Sequence, residues 1–558
     1  MSITGGLYLA QALKAYGVDH VFFMDAILRR SLIEMENLGI RRILTHSEKA
    51  AAYMADGYAR AGYKPGVCMS QSVGAANLAA GLQDAYLGHS PVIALTGRQV
   101  ASNQYKNAYQ EVDHAPLFQA VTRFSGRVDE VSQLPHLLRT AFREAMCATP
   151  RPVHLDITGH TGDVIASQLI DQSVVIDPAF KSFTPFRPRP SIKDITLLSD
   201  ALAKAQRPLM VVDKGAMESR AEKDIENISH VANIAVVGSL DAKAVLREDD
   251  PWFAGVAGTY SRSCANEIFQ KADLILFLGS DTGDQITAGW TLPSQNVDVI
   301  QIDIDPFELG RNFPNATLVH ADIRETLREL LEVGIQHDRP LWAQEIKECV
   351  QKWRDVAKTY WEQESQPIHP GQLCHVLSNS LPNNAVLVAD TGYSSEWSGT
   401  LIEMKHSSQR FIRAAGSLGW AFPASLGAKC ALADTPVFCF TGDGGFMYHQ
   451  AELETARRWG IKTITVVNNN GQLAQGAPNI DAVYKNRPET GKDDIHVYRD
   501  TDFAALAKVF DCEGIRVEHP SQIKVAIEKA LLSELPVVID VVTDPRAKPL
   551  AGAPRRKA

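Results

Sequence analysis

The chain has 558 residues, of which 45% are hydrophobic and 22% charged, a composition typical of a globular protein too long for one hydrophobic core. Its formal net charge of −9 gives no support to nucleic-acid binding or membrane-surface binding. No segment has the uninterrupted apolar length that a membrane span needs, and the N-terminal stretch is typical of an amphipathic helix. We therefore expect a cytoplasmic protein with no nucleic-acid or membrane partner.

The cysteines and the C-terminal tail do not indicate a functional site. The eight cysteines lie far apart without a C-x-x-C pair, which favours reduced thiols over a disulfide framework or a zinc site. The basic residues Arg555, Arg556 and Lys557 come at the end of the sequence, and a solvated tail is their simplest interpretation.

Two proline-rich stretches, residues 182–191 and 363–371, divide the chain into three pieces of ordinary domain size. Each piece alternates short apolar runs with helical patterns, which is typical of parallel sheets covered by helices. We therefore predict an α/β protein of three consecutive domains, each a mainly parallel sheet flanked by helices. The expected domains are residues 1–180, 190–340 and 365–558.

In chain order, the first piece contains a small-residue helix that begins at Glu48. Taken alone, Glu48 is an ordinary first-turn glutamate that interacts with the helix dipole. The predicted buried strands are residues 66–70 and 91–96 in the first piece, 209–212, 274–278 and 299–303 in the second, and 386–388, 437–440, 463–467 and 537–541 in the third.

The most informative stretch, residues 436–472, predicts a strand, a Gly-Asp-Gly loop, a helix, a second strand and an asparagine run. Gly460 is predicted to end the helix. The two strands of such a unit end at the same edge of the sheet, where open α/β sheets bind ligands. We therefore expect Asp443 and Asn470 to lie near one another.

A carboxylate and an amide oxygen at that edge suit a hard cation, especially Mg²⁺, which takes phosphate oxygens and waters as further ligands. Gly442, Gly444 and Gly445 let backbone N–H groups approach an anion, and the following helix adds the positive end of its dipole. Alone, a Gly-Asp-Gly sequence indicates a tight turn with a helix cap. The asparagine at the matching strand end makes the pattern indicate a magnesium–diphosphate site.

Residues 442–444, the spacer 445–468 and Asn469-Asn470 resemble the GDG and NN signature of thiamine diphosphate enzymes. The resemblance implies thiamine diphosphate and Mg²⁺ as cofactors, with Asp443 and Asn470 as metal ligands. It also implies that Gln472 is the third protein ligand, often through its backbone carbonyl.

Residues 45–60 resemble the family segment H-E-x-A-A-x-x-x-A-x-G-Y-A-R, with Ser47 in place of the histidine. The cofactor needs a buried carboxylate beside its aminopyrimidine, and the resemblance assigns that role to Glu48. In the family, the domain that carries this glutamate meets the diphosphate-binding domain of another subunit. The resemblance therefore implies a homodimer at minimum and a dimer of dimers as the expected assembly.

Residues 72–97, 108–124, 258–280, 300–306 and 414–429 resemble segments of the acetolactate synthase and pyruvate oxidase branch of the family, so the resemblance covers nearly the whole chain. In that branch the glutamine matching Gln110 lies near the reacting centre, and we expect it to be catalytic together with Glu48. A bulky apolar residue, here Leu418, lies under the bend of the cofactor. The expected cofactor contacts are Gly392, Tyr393, Gly416, Ser417, Leu418, Gly442, Asp443, Gly444, Gly445, Asn470 and Gln472.

The chain departs from that branch where the substrate is expected. The branch has a Phe-Gly-x-Pro-Gly turn after its first strand, whereas this chain has Phe23-Met24-Asp25-Ala26. We expect Met24 and Asp25 to face the substrate, with Asp25 either an active-site acid or a helix N-cap. His114 is either a substrate contact or proton donor, or a partly buried polar histidine. Residues 279–284 lack the arginine of flavin-binding members, so FAD binding is doubtful.

These features predict a thiamine diphosphate- and Mg²⁺-dependent lyase or carboligase that cleaves or forms a carbon–carbon bond next to a carbonyl, as in acetolactate synthases. The expected substrate is a 2-oxo acid, a 2-hydroxy ketone or a 1,2-dione. One alternative is an enzyme like 2-hydroxyacyl-CoA lyase or oxalyl-CoA decarboxylase, in which a C-terminal lid contacts CoA. Another is an oxidoreductase like flavin-dependent pyruvate oxidase. Glu48, Asp443 and Asn470 together disfavour a non-catalytic binding protein.

Overall fold

Three parallel sheets, one after another along the chain, form the framework of the protein. The computed structural model describes residues 2–294, 297–485, 487 and 491–550, so the basic tail at 555–557 lies outside the described residues. Each sheet has six strands, and the strand pairs within the three sheets are parallel. Helices flank each sheet, which confirms the predicted α/β architecture.

The N-terminal sheet has the strand order β3-β2-β4-β5-β7-β6, and the short strands β1 and β8 form a separate antiparallel pair. Its elements are β1 (Ile3–Thr4), α1 (Gly5–Ala15), β2 (His20–Phe23), α2 (Arg29–Asn37), β3 (Arg41–Leu44), α3 (Glu48–Gly62), β4 (Gly66–Ser70), α4 (Ala75–Leu87), β5 (Val92–Arg98), α5 (Ala115–Gln119), β6 (Phe124–Val128), α6 (Leu134–Met146), β7 (Val153–Thr158), α7 (Asp163–Ala166) and β8 (Leu169–Ile170).

The central sheet has the order β11-β10-β9-β12-β13-β14. Its helix α8 begins directly after the first proline-rich stretch, because Ser191 caps the helix and exchanges hydrogen bonds with Asp194. The elements are α8 (Ile192–Lys204), β9 (Pro208–Val212), α9 (Lys214–Glu218), α10 (Glu222–Ala232), β10 (Ala235–Gly238), β11 (Phe253–Val256), α11 (Ser263–Lys271), β12 (Leu274–Leu278), β13 (Asp298–Asp303), β14 (Thr317–His320), α12 (Ile323–Glu332) and the long connecting helix α13 (Pro340–Trp361).

The C-terminal sheet has the order β16-β15-β17-β18-β20-β19. The elements are α14 (Pro370–Ser380), β15 (Val386–Ala389), α15 (Tyr393–Leu401), β16 (Arg410–Arg413), α16 (Ala421–Ala431), β17 (Val437–Gly442), α17 (Asp443–Met447), α18 (Glu452–Trp459), β18 (Ile464–Asn469), α19 (Ala477–Tyr484), α20 (Phe503–Val509), β19 (Glu513–Val517), α21 (Ser521–Leu532) and β20 (Val537–Val542).

The predicted strand–loop–helix–strand unit differs from the structure in one respect. Two helices, α17 and α18, replace the single helix, and Asp443 is itself the first residue of α17. Gly460 ends α18 with φ +63°, as predicted, because this left-handed conformation is one that glycine adopts readily.

Helix α3 of the N-terminal domain packs unusually close to α16 of the C-terminal domain. A Cβ atom at Gly57 would lie 2.0 Å from the carbonyl oxygen of Ala424, and one at Gly427 would lie 1.9 Å from the carbonyl oxygen of Met54. Only glycine lets the two backbones approach this closely. The contact fixes α3, which begins at Glu48, against the C-terminal domain.

Candidate cofactor-binding site

Asp443 and Asn470 lie at the carboxyl ends of two neighbouring strands in the C-terminal sheet. Strands β17 and β18 pair in parallel, with Gly442 opposite Asn468, so the residues that follow them leave the sheet at the same edge. The backbone N–H of Gln472 donates to Asp443 Oδ2 and to Asn470 Oδ1, at 3.1 Å in each case. The structure therefore brings the two predicted oxygen ligands to one point.

The three consecutive asparagines have different roles. Asn468 Oδ1 accepts from the hydroxyl of Thr543 at 2.7 Å, and Asn469 Nδ2 donates to Asp540 at 2.9 Å. These two side chains therefore stabilise the end of β18 by bonding to the chain around β20. Asn470 lies just beyond the strand, and its amide oxygen accepts from the same Gln472 N–H that donates to Asp443.

Burial shapes the electrostatics of Asp443, whose side chain is almost entirely enclosed. Desolvation raises the pKa of this carboxyl to about 6, against the opposing effect of backbone N–H groups that include that of Gly444. A buried carboxylate beside an amide oxygen matches the hard-oxygen ligands that Mg²⁺ prefers. Asp443, Asn470 and the backbone at Gln472 are thus the groups that fit a magnesium ion.

A cavity of about 410 Å³ opens beside this pair. Its position at the first turn of α17 and the start of α15 exposes backbone N–H groups, which suits a diphosphate. Gly392 precedes α15 with φ +70°. The cavity is lined by all but one of the expected cofactor contacts, namely Gly392, Tyr393, Gly416, Leu418, Gly442, Asp443, Gly444, Gly445, Asn470 and Gln472, and also by Leu473, Gln475 and Ile480.

Ser417 is the expected contact that lies outside this lining. Its backbone N–H donates to Asp84 Oδ2 at 2.9 Å, and the N–H groups of Ala415 and Gly416 donate to the same carboxylate at 2.9 and 3.1 Å. Arg60 in turn donates to Asp84. Asp84 therefore holds the loop beside the cavity, a role that the sequence analysis did not assign.

Asp390 is a second buried carboxylate that the sequence analysis missed. It accepts from the backbone N–H groups of Thr391 at 2.8 Å and Gly419 at 3.1 Å, and from the hydroxyl of Thr441 at 3.1 Å. Burial raises its pKa to about 6. Asp390 ties together the three segments that surround the cavity, and its place directly after a predicted strand was the available signal.

Glu48 lies at the start of α3, where Ser47 caps the helix by accepting from the N–H of Ala50. Its carboxylate accepts from Asn77 Nδ2 at 3.2 Å and lies against Gly74, where an added Cβ atom would be 2.5 Å from Glu48 Oε1. Glu48 is half-buried within one chain, although the sequence analysis expected a buried carboxylate. The surface around it includes Val73, which is 49% exposed.

Gln110 adopts a left-handed backbone conformation with φ +58°, and its carbonyl accepts from the hydroxyl of Ser72 at 2.5 Å. Its side-chain oxygen is buried and has no hydrogen-bond partner among the described residues. A buried acceptor of this kind is costly unless a ligand or another chain supplies a donor.

The altered turn after β2 has a different local structure from the one expected. Asp25 is not the N-cap of α2, because the helix begins at Arg29 and Leu28 occupies the capping position. Asp25 is exposed and lies 3.4 Å from Arg29, and a backbone hydrogen bond from Ala26 holds the pKa of its carboxyl below the usual value. A carboxyl with a lowered pKa is a poor proton donor near neutral pH. Met24 is only partly exposed.

His114 is not accessible as a substrate contact within one chain, because it is 1% exposed and both ring nitrogens have partners. Nδ1 lies 3.0 Å from Asp156 Oδ1, and Nε2 lies 2.9 Å from the carbonyl oxygen of Ser72. Neither partner could be predicted from the sequence, since each is distant from His114 along the chain.

The candidate residues thus form two groups. The C-terminal group surrounds the cavity, whereas Glu48, Gln110, Met24, Asp25 and His114 do not line it within the described chain. Glu48 and Met24 follow adjacent strands of the N-terminal sheet, and Ser72, which bonds Gln110, follows the next strand. The N-terminal group therefore gathers at the carboxyl edge of its own sheet.

Comparison with known proteins agrees with this division. The thiamine pyrophosphate enzyme N-terminal TPP-binding domain matches residues 3–117, the central domain matches 195–330, and the C-terminal TPP-binding domain matches 390–541. Thiamine pyrophosphate is another name for thiamine diphosphate.

Relatives align along almost the whole chain. A probable acetolactate synthase large subunit from Methanocaldococcus jannaschii is 29% identical, over 97% of this chain and 92% of its own. The acetolactate synthase isozyme 2 large subunit of Escherichia coli is 28% identical, over 97% of this chain and 96% of its own. Together with the three domain matches, these relatives show that the chain is a thiamine diphosphate-dependent enzyme of the acetolactate synthase branch of the thiamine pyrophosphate enzyme family.

Proposed function

We propose that the enzyme is a carboligase that takes an acyl group from a 2-oxo acid and adds it to a second carbonyl compound, with Mg²⁺ bound by Asp443, Asn470 and Gln472. The observation that carries the proposal is the convergence of Asp443 and Asn470 on one backbone N–H beside a cavity of about 410 Å³. The relatives named acetolactate synthase support the same reaction class.

When bound, thiamine diphosphate supplies a nucleophilic carbon that adds to a carbonyl and stabilises the charge left when the neighbouring bond breaks. In the proposal, Asp443 and Asn470 hold the metal, and the N-terminal turns of α15 and α17 bind the diphosphate. Glu48 holds a proton on the aminopyrimidine ring, and the amide of Gln110 orients the substrate. Leu418, which lines the cavity, would pack against the bound cofactor.

A homodimer would bring the two groups of residues together, with the N-terminal group of one subunit facing the cavity of the other. Three observations favour a covering subunit: Glu48 is half-buried, the buried side-chain oxygen of Gln110 has no partner in the described part of the chain, and Val73 is exposed. Two relatives are named large subunits, which supports an assembly of more than one chain. A dimer of dimers is the further expectation.

We expect the enzyme to work without FAD. At the carboxyl edge of the central sheet, Asp213 is buried and accepts from the hydroxyls of Ser239 at 2.5 Å and Ser280 at 2.9 Å. A cavity of about 270 Å³ lies there, lined by four aspartates and two cations. A buried carboxylate at this position disfavours the negatively charged diphosphate of a dinucleotide. A yellow protein that absorbs at flavin wavelengths would overturn this expectation.

The free cysteines, most of them buried, support a reducing compartment such as the cytoplasm. No helix within the described ranges combines the length and the apolar character needed to cross a bilayer.

The decisive experiment supplies the purified protein with thiamine diphosphate, Mg²⁺ and pyruvate, and follows the products by NMR. We expect loss of carbon dioxide and a new carbon–carbon bond, both abolished by Asp443→Ala. If the thiazolium C2 proton of the bound cofactor exchanges with solvent but pyruvate does not react, the donor is wrong and the cofactor assignment stands. If neither occurs, the proposed function is wrong.

A further inference from the structure

A chain of hydrogen bonds, most of them buried, runs across the N-terminal sheet and ends at Gln110. It begins at Ser125, whose hydroxyl lies 2.8 Å from His154 Nδ1, and His154 Nε2 lies 2.6 Å from Thr96 Oγ1. Thr96 donates to Asp156 Oδ1 at 2.9 Å, and Asp156 contacts His114. The chain continues through Ser72 to the backbone of Gln110, and most of its members are fully buried.

The donors and acceptors in this chain fix where the protons lie. Thr96 has one hydroxyl proton and gives it to Asp156, so His154 Nε2 donates to Thr96. The Ser125 hydroxyl can then donate to Nδ1 of a neutral His154. Burial lowers the pKa of His154 to about 3, so this histidine is neutral near neutral pH.

His114 differs, because an acceptor faces each of its ring nitrogens. Nδ1 faces the Asp156 carboxylate and Nε2 faces the Ser72 carbonyl. The hydroxyl of Ser72 cannot serve Nε2, since its one proton goes to the carbonyl of Gln110. Each of these contacts is attractive only when the ring nitrogen carries a proton, so the two together point to an imidazolium ion.

The charges around the pair favour this state. Arg98 Nε lies 4.0 Å from Asp156 Oδ2, and Arg98 also pairs with Asp129. Two cations, His114 and Arg98, thus face two anions, Asp156 and Asp129. The paired arrangement allows an imidazolium to be buried without an isolated charge.

Ser72 links this ion pair to both N-terminal candidates. Its hydroxyl holds the left-handed Gln110 backbone, and its carbonyl is held by His114. Two residues further along the same turn, Gly74 lies against the Glu48 carboxylate. We propose that His114, as an imidazolium between Asp156 and Ser72, is a positioning residue that fixes Gln110 and Glu48 at the carboxyl edge of the N-terminal sheet. This inference rests on the proposed function of those two residues.

The first test measures exchange of the thiazolium C2 proton and turnover of pyruvate in the full-length enzyme. His114→Asn should slow both by about tenfold, the factor that one charge-assisted hydrogen bond supplies. His154→Asn is the matched control, because it removes a neighbouring buried histidine without touching Ser72. It should lower the unfolding temperature and leave both rates per folded enzyme unchanged. Equal rate losses in the two variants would mean a merely structural role and overturn the proposal.

A second test asks whether His114 acts through Gln110. The double variant His114→Asn with Gln110→Ala should turn over pyruvate no more slowly than Gln110→Ala alone, because both changes remove the same positioned amide. If the turnover losses of the two single variants multiply in the double variant, His114 does not act through Gln110.

A third test does not depend on activity. In protein labelled with ¹⁵N-histidine, both ring nitrogens of His114 should carry protons at neutral pH, with the resonances assigned by their absence from His114→Asn. A single protonated nitrogen would overturn the proposal even if the enzyme is active. If wild-type protein shows the imidazolium but no C2 exchange, the proposed function is wrong, whereas the protonation state inferred for His114 is confirmed.

Discussion

The two halves of the candidate site differ in how complete they are within one chain. In the C-terminal half, the carboxylate of Asp443 is buried, and its oxygen and that of Asn470 accept from one backbone N–H. The pairing of two neighbouring strands places these residues side by side. In the N-terminal half, Glu48 is half-buried and the side-chain oxygen of Gln110 is buried without a partner among the described residues. One half is assembled by local connections along the chain, whereas the other presents its polar groups to a surface that a second subunit can cover.

The largest effect should come from Glu48, because it is the group expected to make the bound cofactor reactive. Changing Glu48→Gln removes the carboxylate while keeping the side-chain size, and C2-proton exchange should fall by about a thousandfold, within the range of a lost acid–base group. Quenched-flow exchange monitored by proton NMR measures this rate. Thiamine diphosphate affinity should stay nearly unchanged, and an unaltered exchange rate would remove Glu48 from the mechanism.

A substitution in the C-terminal half should lower the affinity for the cofactor, in contrast to the loss of exchange rate expected for Glu48→Gln. Asp443→Ala should weaken binding of the magnesium–thiamine diphosphate pair by about a hundredfold, since the buried carboxylate is the one charged protein ligand in the proposed metal site. Titration calorimetry measures the loss, and a chelator should reproduce it in wild-type protein. Retained affinity in the variant would mean that the metal is held elsewhere.

The same carboxyl predicts a pH dependence. Burial raises the pKa of Asp443 to about 6 in the metal-free protein, and only the deprotonated form can bind the metal. Affinity should therefore rise with pH up to about 6 and level off above it, falling by about tenfold for each further pH unit below. Calorimetric titrations between about pH 5 and pH 8 test this curve, and a flat profile would contradict it.

Mixing the two defective chains tests whether the halves come from different subunits. At a cofactor concentration that saturates only intact sites, Glu48→Gln and Asp443→Ala are each expected to be inactive, yet a mixed dimer would contain one site with both residues intact. After refolding or subunit exchange, C2 exchange should recover to about a quarter of the wild-type rate, because half of the dimers are mixed and each has one good site. If both residues of a site come from one chain, no mixture will recover activity.

The C-terminal half of the site was predicted from the sequence more completely, because its key residues belong to one short segment of the chain. Asp443 and Asn470 follow two strands of one βαβ unit, so the pairing of parallel strands brings them together. Asp84, Asp390 and Asp156 were missed, since each holds a loop that is far away along the chain. For Asp25 the sequence left two interpretations open, and the structure excludes the helix N-cap because α2 begins at Arg29, after a left-handed Leu28 at the capping position.

The smallest expected effect concerns the contact that fixes the two halves within one chain. Gly57→Ala would place a methyl group 2.0 Å from the Ala424 carbonyl oxygen, so α3 and α16 must separate. We expect a loss of about 1–3 kcal/mol in the free energy of unfolding, the usual cost of overpacking. Gly62→Ala is the control on the same helix, because its methyl group would meet only atoms of the flexible Lys64 side chain and the Ala431 methyl, at 3.1–3.3 Å. Chemical denaturation should show Gly57→Ala destabilised and Gly62→Ala close to wild type, since alanine is the better helix former. Equal stability of the two variants would mean that the helices separate at little cost, and α3 would then not be fixed by this contact.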